Sequence, residues 1–558
     1  MNNITFVLRS LLLAIVLGLL SPACSGSSNR DNSGEDTGDT GEDADPAGYW
    51  TSTAYIDAPL GAQKTYTTGT GIMTVDFDDI RQTIDGFGGS DAWKSNPTGE
   101  TFTTLVEKLY SQTKGIGFTI LRNRIPFRER YESLGDDNPS WNDNFIQTAS
   151  GQQYKYTEST VGGEKVKTFT LNWGAWDLNA TKSLIAKIKG IDGGPGDDFK
   201  VISSPWTPPN NSVTRWKEGG KHKGSGGKLS YVGGQNNTSD DYAKPDVGGS
   251  LKPAYYNDYA DLLADYVKGF QSNMGYPLTL LSIQNEPDTM TDYESCIWDG
   301  AGVKDFLKVI GTRFKLKQVS ANIGIIAAEQ ENFKEEMVES ALSDSTAKTI
   351  VTHVAAHQYE APWDSANYGA ERFSKAQALG KRIWQTEMGQ TTAGNGVLTT
   401  GRDIENGLAY ARMIHHTFTI AEANAWLYWW MWQVDNDDSD ALIYINGGAF
   451  SYAKRYYVIG QFSRFIRPGW TRVGSTANPK TGVYTSAYKQ GNDAVIALIN
   501  HSASAQTVTL NLSGKNAAWS AAYRTSATED MAQAANVVSG STVTLSANSV
   551  TTIIGTLK

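Results

Sequence analysis

The pattern of apolar and polar positions changes character several times along the chain. Leu11 to Leu20 is one apolar run behind a polar start containing Arg9, and Ser21-Pro22-Ala23-Cys24 follows it. A run this short does not span a bilayer comfortably, so residues 1–24 read as an export signal. The small residues before Cys24 fit a bacterial lipoprotein cleavage site, with Cys24 as the lipidated residue. Residues 25–50 hold Asp31, Glu35, Asp36, Asp39, Glu42, Asp43 and Asp45 among Gly and Ser. Such a stretch has too little to bury and is expected to be a disordered acidic spacer.

From Gly71 the period becomes two, with Met73, Val75 and Phe77 alternating with Ile72, Thr74 and Asp76; Ile80 to Phe87 reads as a second strand. Strand-like runs then alternate with helical spacing. The strands predicted are 118–121, 200–204, 278–283, 323–328, 354–356, 382–385 and 425–430. The helices predicted are 102–110, 176–189, 257–271, 303–318 and 404–421. This repetition predicts an α/β fold, and its length favours a (β/α)8 TIM barrel, residues 85–455, over a doubly wound sheet. Two Gly- and Asn-rich stretches, 129–168 and 217–250, are expected as long loops of that barrel. From about Tyr456 short strands separated by turns return, as in Gly491-Asn492-Asp493. They predict a small β-sandwich side domain of residues 71–84 plus 456–558.

Composition narrows the partners. The 558-residue chain has a net charge of −10, which argues against nucleic acid. An aromatic share of 11%, with 16 Trp and 26 Tyr, suits both a large buried core and an open sugar-binding cleft. Cys24 and Cys296 are the two cysteines, so no disulfide framework is available once Cys24 carries lipid. A monomer is expected, exported and lipid-anchored to the outer membrane or cell surface, with free secretion or a periplasmic location as the alternative.

Two carboxylates stand out. Leu281-Ser282-Ile283-Gln284-Asn285-Glu286-Pro287 is an apolar strand ending in polar residues and a proline that stops pairing. Arg382-Ile383-Trp384-Gln385-Thr386-Glu387-Met388-Gly389 places a second Glu at another strand's end before glycine. The strand C-termini of a barrel are where catalytic groups collect. A protonated and an ionised carboxyl meeting there at about 5–5.5 Å is the requirement of retaining glycoside hydrolysis. That chemistry needs no metal and no organic cofactor. His415-His416 point different ways on a helix and read as structural. Asp435-Asn436-Asp437-Asp438-Ser439-Asp440 lacks EF-hand spacing and reads as a solvated loop.

Asn285-Glu286-Pro287 resembles the acid/base motif of barrel glycosidases that carry both catalytic Glu residues on the fourth and seventh strands. The stretches 84–93 (IDGFGGSDAW), 204–209 (SPWTPP), His357-Gln358-Tyr359, Trp384-Gln385-Thr386-Glu387 and 460–466 (GQFSRFI) are similar to glycoside hydrolase family 30, in the family's order. The resemblance implies a barrel joined rigidly to a β-sandwich, with Glu286 as acid/base and Glu387 as nucleophile. It further implies that Asn285 meets the sugar's 2-hydroxyl, that Trp93 and Trp206 wall the reaction centre, and that His357 and Tyr359 orient the nucleophile. Of Arg122 and Arg124, one is expected to face the site and keep Glu387 ionised, Arg124 being favoured. Trp430 is expected among the substrate contacts.

The substrate implied is a polysaccharide, first the β-1,4-xylan backbone cleaved internally, then β-1,6-galactan or β-1,6-glucan. Glucuronoxylan-cleaving members follow Trp430 with an arginine for the glucuronate carboxylate, whereas no arginine precedes Arg455 here. A glycan-binding lipoprotein without catalysis is the reading of another class, and retention of both Glu residues argues against it.

Overall fold

The computed structural model describes residues 48–55, 59–126, 148–149, 153–154, 156–208, 231–232, 250–251, 253–289, 295–359, 367–389, 401–435 and 441–558. The expected signal, Cys24, most of the spacer and the 436–440 loop lie outside these residues.

Eight parallel strands close into a barrel in chain order: Gly86–Ser90, Ile120–Ile125, Lys200–Pro205, Leu280–Ser282, Gly324–Gln330, His353–Ala356, Arg382–Gln385 and Ala425–Trp430. The eighth returns to the first through Trp426 opposite Phe87. Side chains alternate across each strand. Ile120, Ile202, Leu280, Ile326, Ala355, Trp384, Ala425 and Leu427 fill the barrel interior. Their neighbours Leu121, Val201, Leu281, Ile325, Val354, Ile383 and Trp426 face the helices in the larger core. The seventh and eighth strands fall where the sequence pattern puts them; most other boundaries move by one to four residues.

Helices Gly99–Tyr110, Trp176–Gly190, Tyr256–Met274, Gly300–Leu316, Ile404–Thr419 and Lys454–Ser463 surround the barrel. Asp299 and Asp403 cap two of them by accepting from Gly302 N (2.7 Å) and Asn406 N (3.1 Å). After the fifth and sixth strands the helices shrink to Glu339–Ser343, Ala347–Ile350 and Ser374–Ala378. Part of the first expected loop is instead a hairpin, Tyr156–Val161 against Glu164–Phe169. It turns at Gly162 and Gly163, both at positive φ, and is held by Asp261 and Asp265, which accept from the amides of Lys167 and Phe169.

Ile72–Thr83 joins the C-terminal strands in one hydrogen-bonded ten-strand sheet, antiparallel to Thr471–Ser475 and parallel to Gln506–Ser513. The sheet curls round its own core, where Met73, Val75 and Phe77 meet Ile496, Leu498 and Val543. Strand Asp493–Asn500 is apolar on both faces because Val495, Ala497 and Ile499 pack into the barrel-side core. That second face buries the sheet against the barrel.

The spacer boundary expected at residue 50 needs correction. Trp50 is buried: its amide donates to Gly311 O (2.9 Å) and its indole to Val319 O (3.0 Å). Tyr55 packs against the barrel's interior layer, edge-on to His353 at 4.8 Å, with Arg382 over its ring. Residues 48–55 therefore pack on the folded unit, Trp50 against helix Gly300–Leu316 and Tyr55 under the N-terminal mouth of the barrel, since an indole and a phenol supply the apolar area that an acidic spacer lacks.

Candidate active site

At the opposite mouth the third and fourth strands are tied together just below Glu286. Asn285 N donates to Pro205 O (2.8 Å), and the Gln284 amide donates to Trp206 O (2.6 Å). Glu286 N then donates to Glu329 O on the fifth strand (2.8 Å), and Glu286 takes a φ of 42°. Left-handed backbone is uncommon for a residue other than glycine, and it lifts this side chain off the strand's alternation. Gln385 plays the same part for Glu387: its side-chain oxygen accepts from Leu427 N (3.1 Å), and its amide donates to Glu387 O. Gly389 follows because a Cβ there would lie 2.5 Å from that of Trp429.

These supports bring the two carboxyls together. Glu286, His357 and Glu387 present ligand atoms within 4.8 Å of one another, and all three residues are buried. His357 Nδ1 is 3.0 Å from Glu286 Oε1 and its Nε2 is 3.9 Å from Glu387 Oε2. Arg122 holds the Glu387 side: Nη1 donates to Glu387 Oε2 (2.6 Å), Nη2 to Asn285 Oδ1 (2.6 Å) and Nε to Glu329 Oε1 (3.0 Å). The Tyr359 hydroxyl donates to Glu387 Oε1 (2.8 Å).

The charges divide accordingly. Burial pushes Glu286 up to about 7, and the Arg122 guanidinium opposes this only in part. Burial also raises Glu387, against the Arg122 guanidinium and the Tyr359 hydrogen bond, which pull it down. Burial lowers His357, which stays neutral. Glu387 has a guanidinium in contact and Glu286 has none, so the pair holds one proton and it belongs on Glu286. The three groups could also surround a metal ion, but Arg122 already sets a fixed positive charge on one of the ligands, which disfavours a second cation there.

The expectation for the arginines is corrected. Residues two apart on a strand share a face, so Arg122 and Arg124 both turn inward with Ile120. Arg122 is the one that reaches Glu387. Arg124, further along the strand, pairs with Asp177 at the start of helix Trp176–Gly190 and lies over the Trp93 ring at 5.2 Å. His357 differs as well: its near contact is with Glu286, and Tyr359 is the one that touches Glu387.

Trp93, Trp206 and Trp429 form a cluster with centroids 5.1–5.9 Å apart beside Arg122, whose guanidinium lies over Trp206 at 4.8 Å. Trp206 is only 2% exposed, so it backs the cluster, while Trp93 and Trp429 are half-buried. Trp430 stacks on Trp429 at 5.1 Å and carries the Lys94 ammonium 3.5 Å from its centroid. An indole and an ammonium at those distances cannot share one face. Trp430 thus backs Trp429 and carries Lys94, while remaining half-buried like Trp429.

Glu329 and Trp429 are site residues that the sequence reading did not single out. Trp429 has a signal, since it continues the inward series Ala425, Leu427. Glu329 has a misleading one. Period two from Ile326 would turn it outward, but a register shift between Ile326 and Glu329 adds a residue and turns it in. Away from the site, His415 and His416 are buried beside Tyr484 at the junction with the side sheet.

Comparison with known proteins agrees with this architecture. The family model described as O-Glycosyl hydrolase family 30 matches residues 232–444. The chain is 27% identical over 301 residues to the glucuronoxylanase XynC of Bacillus subtilis, covering 54% of this chain and 60% of that protein. It is 24% identical over 274 residues to an endo-beta-1,6-galactanase of Hypocrea rufa, covering 47% and 52% respectively. The alignments thus span only part of these relatives' length. Among solved structures, the family 30 subfamily 8 xylanase Xyn30A of Clostridium acetobutylicum superposes with a TM-score of 0.61 at 27% identity, over 87% of this chain and 100% of that one. A GH30 endoxylanase of Clostridium papyrosolvens gives 0.59 at 26% identity over the same shares. With the eight-strand barrel, the curled side sheet and the two strand-end carboxyls in place, the chain is similar to glycoside hydrolase family 30 in both sequence and fold.

Proposed function

We propose that the protein is a retaining, endo-acting glycoside hydrolase whose first substrate is the β-1,4-xylan backbone. The observation that carries the reaction type is the pair Glu286 and Glu387, with oxygens within 4.8 Å across the barrel mouth and a guanidinium on one of them. An inverting enzyme needs about 6.5–9.5 Å to seat a water between the carboxyls, and this gap is too small for one. In the first step a Glu387 oxygen attacks the anomeric carbon as the glycosidic C–O bond breaks, and the Glu286 proton passes to the leaving oxygen. In the second, Glu286 as carboxylate takes a proton from water, whose oxygen displaces Glu387 from the sugar. Arg122 accounts for the side-chain oxygen of Asn285 and so leaves its amide as the donor, as a contact to the 2-hydroxyl requires.

Xylan is supported by the similar xylanases. Independence from glucuronate is supported by Arg455, the first arginine after Trp430. It is fully buried, donating to Ala441 O, the Tyr444 hydroxyl and Asn406 Oδ1, so it does not serve a substituent in the cleft. The endo-β-1,6-galactanase relative keeps β-1,6-galactan as the second reading. A reducing-sugar assay on xylan, arabinoxylan, glucuronoxylan, β-1,6-glucan and β-1,6-galactan, with product sizes read, tests both. Activity on the β-1,6-glycans alone would overturn the xylan reading, and no hydrolysis of any would favour a glycan-binding lipoprotein.

The protein is further proposed to be an exported monomer tethered through lipid on Cys24. The apolar run Leu11 to Leu20 followed by Ser21-Pro22-Ala23-Cys24 supports this reading. Cys24→Ala should release active enzyme to the soluble fraction; unchanged membrane fractionation would count against the anchor.

A further inference from the structure

We propose that Glu329 is a positioning residue of this site: it orients Arg122 between the nucleophile and Asn285, and its negative charge keeps Glu286 in the acid form. The inference rests on the glycosidase reading above. Glu329 is fully buried and touches the machinery in two ways. Its carboxylate takes Arg122 Nε at 3.0 Å, which leaves the two terminal nitrogens to split between Glu387 and Asn285, each at 2.6 Å. Its backbone oxygen accepts from Glu286 N at 2.8 Å, and Asn285 pairs with it as a parallel bridge. The register shift after Ile326 is what turns the side chain inward, so a strand irregularity is spent on a group that touches no substrate.

The charge count explains the use. Arg122 and Glu387 alone would make a neutral pair, and a guanidinium beside Glu286 favours its ionised form. A second anion on Arg122 reverses the balance, because ionising Glu286 then adds a third negative charge around one cation. Among the described residues, the charged or titratable groups that act on Glu286, Glu329 and Glu387 include one cation against several carboxyls. They are Arg122 from the second strand, Asp288 beyond the fourth, His357 and Tyr359 beyond the sixth, and Glu387 beyond the seventh. The Arg122 guanidinium holds Glu329 below the usual carboxylate range despite its burial. Without the Nε contact, the guanidinium is also released to pair with Glu387 through two nitrogens and to drop Asn285.

The test is Glu329→Gln in the full chain, which keeps an acceptor for Arg122 and removes the charge. The kcat/KM of the polysaccharide that the wild type cleaves should lose its alkaline side about one pH unit earlier, a fall of about tenfold there. An aryl glycoside with a good leaving group, which does not need the acid, should change by less than about threefold in its first step. Glu329→Asp keeps the charge and should restore the wild-type alkaline limb even if its overall rate is lower. Carbon-13 NMR of labelled Glu reads the Glu286 titration without turnover, so the result does not depend on the substrate or the reaction type. A Glu286 titration unchanged in Glu329→Gln, or an equal loss on both substrates at every pH, would overturn the proposal. Inactivity of the wild type on every glycan would instead strike the hydrolase reading.

Discussion

The two mouths of the barrel bury charge in opposite proportions. At the N-terminal mouth, Arg382 and Lys200 converge on one carboxylate. Arg382 pairs with Asp85, Trp384 donates to its Oδ2 (2.8 Å), and Lys200 donates to its backbone oxygen (2.9 Å). At the C-terminal mouth, Glu286, Glu329 and Glu387 converge on one guanidinium. The surplus has opposite results. Surplus cations together with burial depress Lys200 and drive His353 well below its usual range, with Arg382, Lys200 and Lys381 all contributing. Surplus carboxyls leave one proton that no cation displaces. One mouth is then packed by Tyr55, while the other keeps Trp93 and Trp429 only half-buried. Burial perturbs ionisation at both ends, and chemistry is possible only where the perturbed group faces an opening.

That contrast can be tested by breaking the charged mouth first. Glu387→Gln removes the group that Arg122 holds ionised, so turnover should fall by at least about 10³-fold while polysaccharide binding persists, read by reducing ends and calorimetry. Turnover that survives would remove Glu387 from the nucleophile role. Glu286→Gln should cost about 10²–10⁴-fold on polysaccharide and far less in the first step with a good aryl leaving group. Equal losses on both would mean that Glu286 is not the acid.

The proton itself gives a third test. With Glu286 raised to about 7, the acid form is present below that value, so kcat/KM on polysaccharide should decline as pH rises through about 7. The linkage runs the same way. A carboxyl whose folded pKa lies above its unfolded value contributes stability below the unfolded value of 4.5 and loses it as pH rises through about 7. Glu286→Gln should therefore gain Tm relative to wild type over that window and hold the gain above it. A constant Tm difference from pH 4 to pH 8 would contradict the raised pKa.

The covered mouth should give the smallest catalytic effect. Tyr55→Ala removes a ring from the barrel's interior layer and should lower stability by about 2–4 kcal/mol with kcat unchanged. A kcat that falls in step with Tm would show that the two mouths are coupled.

Much of this was legible in the chain. The strands Arg382–Gln385 and Ala425–Trp430 coincide with the apolar runs because both are flanked by polar or small residues that cannot continue them. Glu286 and Glu387 were legible because proline and glycine end their strands in distinctive local sequence. The spacer was read as running to residue 50, and residues 51–55 were assigned to no element, because local composition does not reveal that Trp50 and Tyr55 find cover on elements more than 250 positions away. The choice between Arg122 and Arg124 failed for a related reason. Alternation turns both inward, and only depth within the barrel separates the one beneath Glu387 from the one beside Asp177.

By itself the sequence determined the order of elements, the barrel with its β appendage, and the two carboxyls at strand ends. These follow from period, turn chemistry and residue type, all of which act within a few positions of the chain. Only the tertiary structure decided which arginine meets the nucleophile, that Glu329 enters the site, and which carboxyl keeps its proton. Each of these is set by charges and faces brought together from separate strands, and electrostatic energy inside a protein depends on distance and burial, which the order of residues does not display.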